Sequence, residues 1–318
     1  MSYDVISSIT NNVFIPVLAD NVFKSNPLFI LLHRKMKKLT GGGKIIQPIN
    51  LKKSVTAKSY SGADLLDIQF EQLIQSAEYD WCQYAETLPF TGLDDLRNSG
   101  PAGVINLIRA NVEICEMSMR DKMGADVYGD GTGNNGKNIL GLAAAVDDGT
   151  NVGTYGMISR TLFTNWKGNY SANAGVGRAL TLPLMNSIFE LAVIDNSRPD
   201  QILTTHGMFV RYLNLLQPNT RYMNTDIYNM GSPTLNYQDR PIVVDDQITS
   251  TPLHYMWMLN MRWMQLYVHA ERNFRFVNFQ QLPQQDAAVG KVLWAGQLVC
   301  ASPRLQTQAR DFDPTLTA

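Results

Sequence analysis

One stretch limits what this chain can become. Pro101 to Tyr128 reads as an uninterrupted helix, and the run Gly129-Asp130-Gly131-Thr132-Gly133 stops it. Val104, Ile108, Val112, Cys115, Met119 and Met123 recur at helical spacing on one side, with Leu107, Ala110, Ile114 and Met117 beside them. Opposite lies a narrow polar strip of Asn106, Arg109, Glu113, Glu116 and Arg120. Asn98 or Ser99 can cap the start, Pro101 suits a first turn whose N–H groups lack partners, and Gly129 supplies the stop. At about 1.5 Å per residue such a helix spans roughly 40 Å, and with so thin a polar strip more than one layer must cover it.

The 318 residues allow one large core or two modest ones. A formal net charge of -1 gives no global pull toward nucleic acid or an anionic membrane, so any such contact must come from local clustering. Cys82, Cys115 and Cys300 are odd in number, far apart and set among apolar neighbours, which argues against a disulfide framework or a zinc knuckle. The opening Met1-Ser2-Tyr3-Asp4 lacks the basic start and apolar run of a secretory leader. The longest apolar run, Pro27 to Leu32, is far too short for a membrane helix. The expectation is a soluble protein made in a cytoplasm.

Residues 1–43 alternate short apolar clusters with Pro16 and Pro27 and finish at Gly41-Gly42-Gly43. Such a segment holds a short helix or two but cannot bury itself, so it is expected to lie across something else. From Lys44 the residues become strand-like (Ile45, Ile46, Ile49, Leu51, Val55, Thr56), with a turn expected at Ser61-Gly62-Ala63 leading into Leu65, Ile68 and Phe70. Charge divides sharply here. Between Asn21 and Ala63 there is no acid but nine bases, among them Lys44, Lys52, Lys53 and Lys58; between Asp64 and Leu96 there is no base but eight acids, among them Asp64, Asp67, Glu71 and Glu78. Opposite blocks of this kind pair within a hairpin or between copies of the chain, so Lys52, Lys53, Lys58, Asp64, Asp67 and Glu71 are the candidate inter-subunit contacts. A nucleic-acid contact is the weaker reading, because no aromatic residues interleave the lysines.

Beyond the glycine run, helix and strand alternate. Leu182 to Ile194 is a predicted helix with Thr181 as cap and Pro183 in its first turn. Gln201 to Thr205 is a predicted buried strand, Met208 to Gln217 a helix, and Asn219 to Tyr237 a polar, aromatic-rich loop. Strands are predicted at Arg240 to Asp245, Leu253 to Leu259, Met264 to Val268 and Val292 to Cys300. Gly131-Thr132-Gly133-Asn134-Asn135-Gly136 matches the dinucleotide-binding string, but a helix ends at it where that chemistry needs one to begin. His206, His254 and His269 with Asp245, Asp246 and Cys300 could be written as a triad or metal site, yet none has ligand spacing and no nucleophile elbow is present. No catalytic, cofactor or metal residues are therefore assigned.

The order of these features resembles the major capsid proteins of tailed bacteriophages, the Hong Kong 97 type. The residues that carry the resemblance are Val127-Tyr128-Gly129-Asp130-Gly131-Thr132-Gly133-Asn134-Asn135 followed by Leu140-Gly141-Leu142, and Tyr155-Gly156-Met157-Ile158-Ser159-Arg160 followed by Trp166. Arg240-Pro241-Ile242-Val243-Val244 is similar to a further strand of that family.

The resemblance implies an α+β fold: an N-terminal arm (1–43), an extended β-hairpin loop (44–90), a peripheral domain (91–180 and 266–318) containing the long spine helix, and a central axial α/β domain (181–265). It implies a structural shell protein of hexamers and pentamers around double-stranded DNA. The implied partners are a separate scaffolding protein, a portal protein, a decoration protein and non-specifically packaged DNA, with no membrane; the implied place is the virion, after synthesis in a bacterial host. Some relatives join subunits by a lysine-to-asparagine isopeptide bond that needs a buried glutamate. Val292 to Cys300 holds none, and Gln297 falls near that place, so no covalent cross-linking is expected. Two alternatives remain: an encapsulin-type compartment with the same fold, and a soluble α/β enzyme using His206, His254 and Asp245.

Overall fold

The computed structural model describes residues 26–68, 72–91, 107–216, 235–248, 252–281 and 287–316, without the side chains of 90 and 107–110. The caps expected at Asn98 or Ser99, the first turn at Pro101 and the polar residues Asn106 and Arg109 fall outside this description, as does most of the Asn219 to Tyr237 loop. The chain divides into two compact units, a smaller one with residues 84–119 and 274–293 and a larger one with 24–83, 120–273 and 294–318.

In the larger unit a six-stranded sheet runs in the order β7 (Asn169–Ser171), β15 (Thr307–Phe312), β11 (His254–Leu259), β8 (Gln201–Thr204), β10 (Arg240–Val244), β9 (Leu235–Tyr237). The β15–β7 and β10–β8 pairs are parallel; the other three are antiparallel. Every residue of β8 is buried, because strands flank it on both sides and side chains cover both faces. Ile202, Ile242, Met256, Met258, Ala309 and Phe312 meet Met185, Ile188 and Phe189 of α4 (Leu182–Leu191) and Met208, Phe209 and Tyr212 of α5 (His206–Leu216) in one core. Thr181 caps α4 as predicted, its hydroxyl accepting the Leu184 N–H at 3.2 Å. Tyr237, expected in a loop, pairs with Arg240 in the β9–β10 hairpin, where its ring fills the core.

The same unit holds α1 (Pro27–Arg34), β1 (Lys37–Leu39), which pairs in parallel with β12 (Met264–His269), and the last five residues of β14 (Ala287–Cys300), antiparallel to β12. Of the early segment, residues 1–25 lie outside the described residues; in the described part Leu28, Phe29 and Leu32 of α1 are buried against the chain itself. Asn26 hydrogen-bonds the Arg120 carbonyl of α2 (Leu107–Val127) at 2.9 Å, and its side chain occupies the space where a side chain at Gly124 would stand.

In the smaller unit β13 (Arg275–Gln281) pairs with the first half of β14, with a register shift between Val277 and Gln280. Leu88 of β4 (Cys82–Thr91), Cys115, Met119 and Val292 are buried there. In α2 the apolar row Cys115, Met119 and Met123 is buried, Glu113 and Arg120 are exposed and Glu116 is half-buried, as the polar strip predicts. Ile114 and Met117, on the adjoining side, are only half-buried.

Candidate subunit interface

The predicted hairpin exists with a different pairing. β2 (Ile45–Asn50) runs antiparallel to β3 (Ile74–Tyr79), from Ile45 opposite Tyr79 to Asn50 opposite Ile74. The turn expected at Ser61-Gly62-Ala63 is present, closed by the Asp64 N–H on the Ser61 carbonyl (2.8 Å) and the Ser61 N–H on the Asp64 carboxylate (2.9 Å). The residues flanking it form no strands among those described. Ile45, Ile49, Ala77 and Tyr79 alternate on one buried face and so fix β2 and β3, whereas 52–68 has no face to bury and no register to gain.

The root of this hairpin is locked by the Tyr155 to Trp166 segment. β5 (Thr154–Tyr155) and β6 (Ile158–Ser159) form a tight turn in which Gly156 and Met157 both have positive φ, +58° and 61°. The Gly156 carbonyl accepts the Glu78 N–H at 3.0 Å, and a Cβ on Gly156 would stand 2.9 Å from Ala77 and Tyr79, so only glycine allows this approach. The Tyr79 and Tyr155 rings meet edge-on at 5.3 Å. Behind them Arg160 is fully buried. Its guanidinium donates to the carbonyls of Ala144 (2.7 Å), Ala145 (2.8 Å), Val152 (2.9 Å) and Trp166 (3.3 Å), with Asp147 at 3.9 Å. Burial pulls the Arg160 guanidinium below its ordinary value, and the Asp147 carboxylate opposes that pull. Asn165 then ties the Leu51 carbonyl, at 3.2 Å, where β2 ends. Spacing alone gave no sign of this staple: a lone arginine reads as a surface charge.

The glycine run has an equally local cause. The Asp130 carboxylate accepts both the N–H and the hydroxyl of Thr132 (3.0 and 2.7 Å), which lowers its pKa through those hydrogen bonds. A Cβ at Gly141, which precedes α3 (Leu142–Ala145), would lie 2.3 to 2.7 Å from the carbonyl oxygens of Val127, Gly129 and Asp126, so the end of α2 can be covered only by glycine there. Tyr128 donates to Asp245 at 2.7 Å, and the same carboxylate accepts the Leu28 N–H (3.3 Å) and the Gln247 N–H (3.0 Å). Asp245 thus joins the end of α2, the end of β10 and the start of α1. Burial raises its pKa, against the lowering effect of those donors.

The six predicted contacts fall as follows. Lys52 and Lys53 are exposed at the hairpin root and line a cleft of about 480 Å³, with the Lys52 ammonium 5.6 Å from the Phe163 ring. Lys58 donates to the Leu65 carbonyl at 2.6 Å, inside its own loop. Asp64 closes the turn, Asp67 is exposed, and Glu71 lies outside the described residues. Among the described residues, Lys44 and Glu78 bridge the two charge blocks within the hairpin at 3.0 Å, which raises the lysine pKa. Sequence reasoning missed the apolar character of the tip: Leu65 is 90% exposed, Ile68 82%, Val55 72%, with Tyr60 and Leu66 also open.

Two of the three residues of the enzyme reading have other occupations, and the third, His206, is exposed at the start of α5. Asp245 serves the three donors above, and His254 Nδ1 pairs with the Thr205 hydroxyl at 2.7 Å. Burial pushes the Cys300 thiol up to about 12, away from the thiolate a nucleophile needs. Gln297 is buried in β14, its oxygen accepting the Leu140 N–H (3.0 Å) and its nitrogen donating to the Asp80 carbonyl (3.1 Å).

No family model and no curated protein matches the sequence. Solved structures do match over nearly the whole chain. The cyanophage A-1(L) capsid subunit is 17% identical with a TM-score of 0.72, covering 98% of this chain and 99% of that one. The capsid of a native GTA particle is 8% identical with a TM-score of 0.68, over 96% of both chains. The SrpI encapsulin of Synechococcus elongatus is 10% identical with a TM-score of 0.66, over 100% of this chain and 98% of that one. The mixed α+β architecture described above is therefore the Hong Kong 97-type fold of phage capsid proteins.

Proposed function

We propose that this chain is the major capsid protein of a tailed phage, a structural protein whose hexamers and pentamers close an icosahedral head around double-stranded DNA. The observation that carries the reading is the contrast within one hairpin, whose root is locked into its own chain while Leu65, Leu66 and Ile68 of its tip stand 58–90% exposed. A loop that costs entropy to order and leaves leucines in water is expected where a second copy covers it. Residues 1–43 act as the arm and 44–90 as the extended loop. Residues 91–180 and 266–318, with α2 as spine, form the peripheral domain, and 181–265 the axial domain, whose sheet β7 and β15 continue. Scaffolding, portal and decoration proteins are the expected partners, and packaged DNA meets inward-facing bases without sequence preference. The virion is the expected location.

The encapsulin-like structure supports a second reading, a compartment shell around a cargo enzyme. Electron microscopy of particles purified from infected or expressing cells tests both. Closed shells are expected: a tail vertex or packaged DNA favours the phage head, an enclosed enzyme favours the compartment, and a stable monomer overturns both. Boiled shells on a denaturing gel should give one monomer band, since the position in question holds a hydrogen-bonded glutamine; a ladder would contradict this.

A further inference from the structure

We infer that the cleft at the hairpin root is the landing site for the loop tip of a second copy, residues Asp64 to Ile68. This rests on the shell reading above. The cleft lies between the β2 end, the Asn165-Trp166 turn and the segment after β14; at about 480 Å³ it is the size of sites that take a drug-sized ligand, roughly 300–1,000 Å³. Its charged lining is three cations, Lys52, Lys53 and Arg304, against one carboxylate, Asp195. Apolar side chains, Ile49 and Leu305 among them, form part of its wall. Trp263 lines it as well, and its buried indole N–H has no partner among the described residues. A site of this composition selects a guest that is apolar and carries carboxylates.

The chain supplies such a guest. Asp64-Leu65-Leu66-Asp67-Ile68 holds two carboxylates and no base, with all three apolar side chains exposed. Those side chains are open to solvent in the chain that carries them, so its own cleft does not take them. Donor and acceptor are different surfaces of one subunit, which makes the contact heterologous: each copy gives a tip and receives one, and the contact propagates until a ring closes. Charge sets the register and the leucines and isoleucine supply the burial.

The test uses mixed shells assembled from two variants, one carrying only Leu66→Cys and the other only Ser302→Cys in the cleft wall. Native Cys82, Cys115 and Cys300 are buried and stay out of the reaction. Mild oxidation should yield a disulfide-linked pair of one chain of each kind, lost on reduction and absent when either variant is assembled alone. Arg304→Cys serves as a second acceptor should Ser302→Cys fail to fold. Shells that form normally while the mixed cysteines at both acceptor positions stay reduced overturn the landing site and leave the shell reading intact; a wild-type chain that forms no shell overturns both. A companion variant, Lys52→Glu with Lys53→Glu, is expected to lose assembly and regain part of it with Asp67→Lys, a position whose side chain is exposed. Shells of normal yield that have lost only nucleic acid would instead assign the cleft to phosphate and overturn the proposal.

Discussion

The root and the tip of the extended hairpin are built on opposite terms. At the root, Arg160 and Trp166 are held by hydrogen bonds and Tyr79 by ring packing: a buried guanidinium faces four carbonyls, the Trp166 indole N–H reaches the Tyr155 carbonyl at 2.9 Å, and the Tyr79 ring meets Tyr155 edge-on. At the tip, one turn holds itself by Ser61 and Asp64, and large apolar side chains point into water. The difference assigns tasks. A root that moved would scatter the tip, whereas a tip that packed on its own body would have nothing to offer a neighbour.

The largest effect should come from breaking the root. Arg160→Met leaves Asp147 without its cation and four carbonyls without a donor; loss of one partner of a buried pair costs about 3–5 kcal/mol. Urea unfolding of the unassembled chain measures this, and a variant within about 1 kcal/mol of wild type would mean the root is held by apolar burial alone.

A smaller effect is expected at Asp245, where α1 meets the body that the root stands on. Burial raises this carboxyl's folded pKa above its unfolded value near 3.9. The folded state then binds the extra proton, so the group's stabilising contribution is full below the unfolded pKa and is lost as pH rises through the folded one. Asp245→Asn keeps an acceptor for Tyr128 and should flatten that part of the stability–pH curve. An unchanged slope in the variant would place the titration elsewhere.

Legibility in the sequence followed the same division. Periodicity and caps marked α4, α5, β8, β10, β11 and β12 because each buries a regular face, and Thr181 acts where a capping residue should. The glycine run was legible as a stop, although the reason Gly141 must be glycine lies in three carbonyls brought close by the end of α2. The β2–β3 register was not legible, since Leu65 and Ile68 look like strand residues and only their lack of a buried partner face tells otherwise. The joining of Tyr128, Asp245 and Leu28 was also invisible, being a contact across 217 positions between α1 and β10. Of the candidate interface, the charge blocks were legible and the apolar tip was not: among the described residues Lys44 and Glu78 bridge inside the hairpin, while Lys52, Lys53 and Asp67 stay exposed.

The tip should show the smallest effect on stability and the clearest effect on function. Leu65→Ser with Leu66→Ser removes apolar surface that is already in water, so unfolding of the unassembled chain should change by no more than about 0.5 kcal/mol. Burial of those side chains is available only when a second copy arrives, and the loss therefore falls on association alone. Light scattering of assembling subunits should show shell yield falling or the concentration needed for assembly rising, with the monomer melt unmoved. Normal assembly in this variant would make the tip an incidental apolar patch, and a lowered melt would mean the tip packs on its own root; either result would erase the division between the two ends of the hairpin.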